Sequence, residues 1–80
     1  MLAILLTIPL LVAAGNNDVA QVRELLKAGA NPNVRNELNT TPLLEAAFNS
    51  NADIIKALLD AGADPNAAGA DGQTPLMLVA

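Results

Sequence analysis

The chain has 80 residues, room for one small domain, and its 52% apolar content is aliphatic with a single aromatic, Phe48. Eight acidic against four basic residues give a net charge of −4, which is not the electrostatic footprint of a nucleic-acid binder. Cysteine and histidine are absent, so disulfides and thiolate metal sites are excluded and the commonest general base is missing.

Residues 1–14 are apolar but fall short of the roughly 18–20 residues that span a bilayer as a helix. Two readings compete for them. As a signal peptide they offer Val12-Ala13-Ala14 as a small-residue cleavage site, without the usual positively charged start. As part of the fold, residues 9–14 stand in register with 42–47, deep inside the chain. The second reading is the stronger, and it carries a cytoplasmic location with it. Met1–Leu6 aligns with the polar loop Val34–Asn39 yet is apolar throughout, which leaves loop, helix and signal open for that stretch.

The register is the chain's main feature. Pro9–Asn33 returns 33 residues later as Pro42–Asn66, with 13 of 25 positions identical and no gap, and a third copy begins at Thr74-Pro75-Leu76. A fixed short period marks units smaller than a domain, each stabilised by stacking on its neighbours. The spacing predicts repeats over about 8–40 and 41–73, with a partial one over 74–80.

The second copy reads most clearly. Thr41-Pro42 starts a helix over about 42–49, because Thr caps free N–H groups and Pro at the first helical position loses no hydrogen bond. Ala46 and Ala47 let another helix approach closely. Ser50-Asn51 breaks the chain and supplies a fresh cap, with Asp53 complementing the next helix dipole. That helix runs over about 52–61, with Ala52, Ile55, Leu58 and Leu59 as the expected buried stripe. Gly62 follows as a left-handed cap, Pro65 stops the helix from resuming, and Gly69 and Asp71-Gly72 give turn chemistry up to Gln73. Each unit is therefore helix, tight turn, antiparallel helix, extended loop. Neither helix is long enough to stand alone.

Asp71-Gly72-Gln73-Thr74-Pro75-Leu76 and Leu58-Leu59-Asp60-Ala61-Gly62-Ala63-Asp64-Pro65-Asn66 resemble the ankyrin repeat signature, in phase from Ile8 to Ala80. The resemblance implies an all-α ankyrin solenoid of two full helix-turn-helix repeats plus the first helix of a third. Several positions depart from the family. Its His after Thr-Pro-Leu is Leu11, Leu44 and Met77 here. Ile8 replaces the capping Thr, Asn39 replaces a loop Gly, and Gly69 stands where a loop Asp is preferred.

Catalysis finds no support. Ser50 and the threonines have no His partner, Asp60, Asp64 and Asp71 lack calcium-loop spacing, and Gly29 and Gly62 follow helices, the wrong end for a phosphate. The apolar positions Val22, Leu25, Leu26, Ile55, Leu58 and Leu59 read as inter-repeat core, not as a ligand groove. No cofactor or metal is implied.

The family resemblance implies a non-enzymatic module that binds a protein partner through loop tips and the concave faces of its first helices. Two alternatives are an exported protein with residues 1–14 as signal, and an appendage of an enzyme lying outside this chain. Exposed positions that differ between the copies are least explained by the scaffold and are the candidate contacts: Arg35, Glu37, Leu38 and Thr40 in the first loop, Phe48 and Asn49 on the helix beside it, and Ala70, Asp71 and Gln73 in the next loop. Arg35 and Glu37 are expected to set charge pairing, and Leu38 with Phe48 the apolar centre. The family also implies asparaginyl hydroxylation as a candidate modification of Asn66, which has Leu58 eight and Asp64 two residues before it; a turn-forming Asn is the plainer reading. Both ends look apolar, so the 80 residues are expected to be an excerpt of a longer array or to self-associate through uncapped ends.

Overall fold

A computed structural model describes residues 2–79, with side-chain surroundings for residues 9–78. Five helices follow in order: α1 Leu2–Gly15, α2 Val19–Lys27, α3 Pro42–Phe48, α4 Ala52–Asp60 and α5 Pro75–Val79. No strand occurs among the described residues. The first helices α1, α3 and α5 form one layer, each packed on the next, while α2 and α4 form a second layer beside α1 and α3.

Side chains predicted to cap do so. Thr41 Oγ1 accepts from Leu44 N at 3.1 Å, and Asn51 Oδ1 accepts from Ile54 N at 3.1 Å. Asp18 plays that part in the first copy, accepting from Gln21 N. At the C-terminus of α4, Gly62 lies at φ 97°, with Gly62 N donating to Leu59 O and Ala63 N to Leu58 O. These two bonds satisfy carbonyls the helix leaves free. Gly29 and Ala30 repeat the pair on α2, at Leu26 O and Leu25 O. After α3 the left-handed position falls to Ser50, φ 54°.

One open point is answered and one expectation is corrected. Met1–Leu6 aligns with a loop, and of the readings left open for it α1 gives helix, starting at Leu2 and running through Pro9. Ile8 has no side-chain oxygen with which to begin a helix, and Leu2–Leu6, mainly Leu and Ala with no Gly, Pro or Asn to turn the chain, favour a helix that continues backwards. Pro9, with no N–H to give, interrupts its hydrogen-bond ladder. The stripe of α4 is also displaced. Ile54 and Leu58 are fully buried, Ile55 is half-buried, and Ala52 and Leu59 are exposed. Paired apolar residues at 54–55 and 58–59 fit helical spacing on either of two adjacent faces, so spacing alone does not choose between them.

Leu10, Ala13 and Ala14 of α1, Val22 and Leu25 of α2, Leu43 and Ala46 of α3, and Ile54 and Leu58 of α4 make one continuous core. The buried alanines are what lets the helices approach closely. Removal of residues 1–14 would take three side chains out of this core.

Candidate partner-binding surface

The two loops repeat one design. In the first, Asn36 N donates to Thr40 O at 3.1 Å, and in the second Gly69 N donates to Gln73 O at 2.9 Å. Asn39 and Gly72 take the left-handed position of each turn, at φ 61° and 81°. Asn39 therefore stands in for the glycine, as Asn tolerates this region better than most residues. The internal bracing differs. Asn36 Oδ1 accepts from Leu38 N and Thr40 N, whereas Gly69 has no side chain and Asp71 Oδ1 accepts from Gln73 N instead.

This bracing holds the loops out beside the first helices. Between them lies a groove walled by Leu38, Thr40, Leu44, Phe48, Gly69, Ala70 and Asp71. Leu38 is 75% exposed and Phe48 56%, large apolar surfaces left in water on both rims. A second groove, on the other side of Leu38, is formed by Leu11, Val12 and residues 34–37. Leu38 is thus a ridge between two grooves. Five predicted contacts (Leu38, Thr40, Phe48, Ala70 and Asp71) meet in the first groove, and Glu37 lines the second. Gln73 is exposed at the base of the second loop.

Arg35 and Asn49 have other employment. Arg35 Nη1 donates to Asn39 O and Oδ1, both at 3.1 Å, and across to Ala68 O at 2.8 Å. It ties one loop to the next, and its charge is held by the scaffold. Asn49 Nδ2 donates to Gly15 O at 3.1 Å and Ala14 O at 3.3 Å, closing the end of α1. Asn49 is moreover identical to Asn16 in the first copy, so variation between copies does not single it out. Val12 was missed by sequence reasoning. It is 56% exposed on α1, and its counterpart is Glu45, so the same comparison of copies could have found it.

No cluster of three or more carboxylates suited to a metal occurs among the described residues. Asp60 pairs with Lys56 at 2.9 Å in an exposed i, i+4 bridge, a contact worth little in water. No described helix is long and apolar enough to cross a membrane.

The period, the paired helices and the projecting loops agree with a comparison against protein families, in which the family model described as ankyrin repeats (3 copies) matches residues 10–80. The chain belongs to the ankyrin repeat family. A search of curated proteins finds no match. Ankyrin repeats are generally protein–protein interaction modules and typically non-catalytic. In this ankyrin chain the position of the family's His is taken by buried Leu44, half-buried Leu11 and exposed Met77. None has a side-chain donor, so links between loops come from elsewhere.

One such link is Asn33. Its Nδ2 donates to Gly62 O at 3.2 Å, and its Oδ1 accepts from Asp64 N at 2.7 Å. The amide clamps the turn that ends the next repeat. Asn66, the candidate for modification, is its counterpart. It is exposed, its N–H donates to Asp64 Oδ1 at 2.9 Å, and its side-chain amide bonds no described residue.

Proposed function

We propose that this chain is a non-enzymatic binding module whose protein partner rests on the two loop tips and the exposed faces of α1 and α3, centred on Leu38 and Phe48. The observation that carries this reading is the exposure of both residues across a groove whose walls are held by backbone and Asx bonds. Two large apolar side chains standing in water weaken the free protein's solubility and contribute nothing visible to its core, but form the kind of centre that dominates binding energy. A rigid stack also loses little conformational entropy on binding. Glu37 and Asp71 flank the centre, while Arg35 is tied into the scaffold. The partner expected is an apolar residue flanked by basic ones.

Photo-crosslinking from position 38 in the native host identifies the partner. Against it, Phe48→Ala and Leu38→Ala should each weaken binding by about 1–2 kcal/mol with the helical circular-dichroism signal intact. Glu24→Ala, on the opposite layer, should leave binding unchanged. An equal loss from Glu24→Ala would contradict the assignment. The same reading keeps residues 1–14 in the mature protein and the protein in the cytoplasm; N-terminal sequencing that starts at Gly15 would speak for export instead.

A further inference from the structure

The layer of first helices carries a single charge. Across the described residues of α1, α3 and α5, Glu45 is the one ionisable side chain. It stands on α3 one turn before Phe48, and its counterpart in the first copy is the exposed Val12. Glu45 itself is half-buried. Gly15, the last residue of α1, makes room for it: a Cβ added there would stand 3.2 Å from Glu45 Oε2 and 3.8 Å from its Cδ. The carboxylate therefore lies over a residue with no side chain. One repeat later the matching residues are Phe48 and Leu78. The space and the carboxylate occur together, and once.

The scaffold does not account for a charge at this place. An acid in the first turn of α3 would complement that helix's dipole, yet this carboxylate reaches to the C-terminal end of α1, where carbonyls carry partial negative charge. Those of Ala14 and Gly15 accept from Asn49 Nδ2 and each keep a second lone pair. None of the four basic side chains pairs with Glu45. Arg35 is bound to Asn39 O and Ala68 O, while Arg23, Lys27 and Lys56 stand on α2 and α4, Lys56 paired with Asp60.

We propose that Glu45 is the specificity-determining residue of the partner surface, a receptor for an arginine of the partner; this rests on the binding role proposed above. A guanidinium set against Glu45 donates two parallel hydrogen bonds to the carboxylate. It is favoured by the negative end of α1, and the exposed ring of Phe48, one turn away, offers it a face on which to stack. A lysine ammonium would meet the charge but offers no planar fork. Glu37 and Asp71, exposed on the loops, steer a basic partner towards the surface. Glu45, half-buried on a packed helix, is where arginine is chosen.

The test selects peptides from a random library displayed on phage, panned on the 80-residue chain. Those retained are the peptides whose binding Leu38→Ala and Phe48→Ala weaken. They are expected to share an arginine whose exchange for citrulline, its neutral isostere, lowers affinity about tenfold, and Glu45→Gln should lower it by the same factor. Together the two changes should cost no more than either alone, since both remove one contact. Gly15→Ala is an independent check. Alanine suits a helix better than glycine, so the melting temperature of the free chain should not fall, while affinity drops about threefold or more as the Cβ displaces the carboxylate. Full affinity for the folded Glu45→Gln chain, or losses from citrulline and Glu45→Gln that simply multiply, overturn the inference and leave the binding surface standing. Peptides that need Leu38 and Phe48 yet share no arginine do the same. A selection in which no peptide depends on Leu38 or Phe48 overturns the surface itself, and the inference with it.

Discussion

The two copies of the repeat, Pro9–Asn33 and Pro42–Asn66, differ in ways that follow from their neighbours. Leu26 and Leu59, Pro32 and Pro65, Asn33 and Asn66 are identical pairs, while Val22 becomes Ile55. Two other pairs of the second helices change. Gln21 and Glu24 are polar and exposed in α2, where no helix of the second layer lies on that side among the described residues, while Ile54 is buried and Ala57 half-buried in α4, where α2 does. The stack therefore has a direction. On these flanks α2 presents polar Gln21 and Glu24, and α4 presents Leu59 on the other side.

Substitutions in matched pairs can break this comparison. The largest effect belongs to the shared core: Leu25→Ala and Leu58→Ala should each cost about 2–5 kcal/mol in urea unfolding, because both side chains lie in the continuous core whichever repeat they belong to. The next pair should split. Leu26→Ala, beneath α4, is expected to cost about 1–2 kcal/mol, and Leu59→Ala, on the open face, less than about 1 kcal/mol. Equal costs would mean that the copies do not differ in their neighbours. Asn33→Ala should cost about 1 kcal/mol by leaving Gly62 O and Asp64 N without their clamp, whereas Asn66→Ala should be neutral within about 0.5 kcal/mol. The smallest effect has the opposite sign. Ser50→Gly should raise the melting temperature slightly, by about 0.5–1 kcal/mol of stability, since Ser50 takes a left-handed conformation that glycine adopts without a steric penalty.

Much of this fold was legible because its determinants are local. Thr41, Asn51 and Gly62 cap or end helices through their own side chain or lack of one, and the period of 33 carries each assignment to the next copy. What was not legible depends on neighbours. Whether Ile54 or Leu59 is buried turns on which side of α4 has a covering helix, a fact that helical spacing does not hold. The extension of α1 to Leu2 turns on the absence of a stop signal before Pro9, and alignment with a loop pointed the other way. At the partner surface, Leu38 and Phe48 stood out as residues the scaffold does not require, and they do line one groove. Arg35 and Asn49 were read as exposed positions that differ between the copies and are free to meet a partner. Their hydrogen bonds go to Ala68 O and Gly15 O, 33 and 34 residues away, a reach that residue-by-residue comparison does not hold.

The central claim is that a repeat's neighbour, more than its own sequence, sets what its residues contribute. A chain extended after Ala80 by a copy of residues 48–66 continues the register and completes the third repeat. The measurement is the cost of Leu59→Ala in this extended chain, set beside its cost in the 80-residue chain. The expected result is a rise to the level of Leu26→Ala, about 1–2 kcal/mol. A cost that stays where it was in the shorter chain would contradict it.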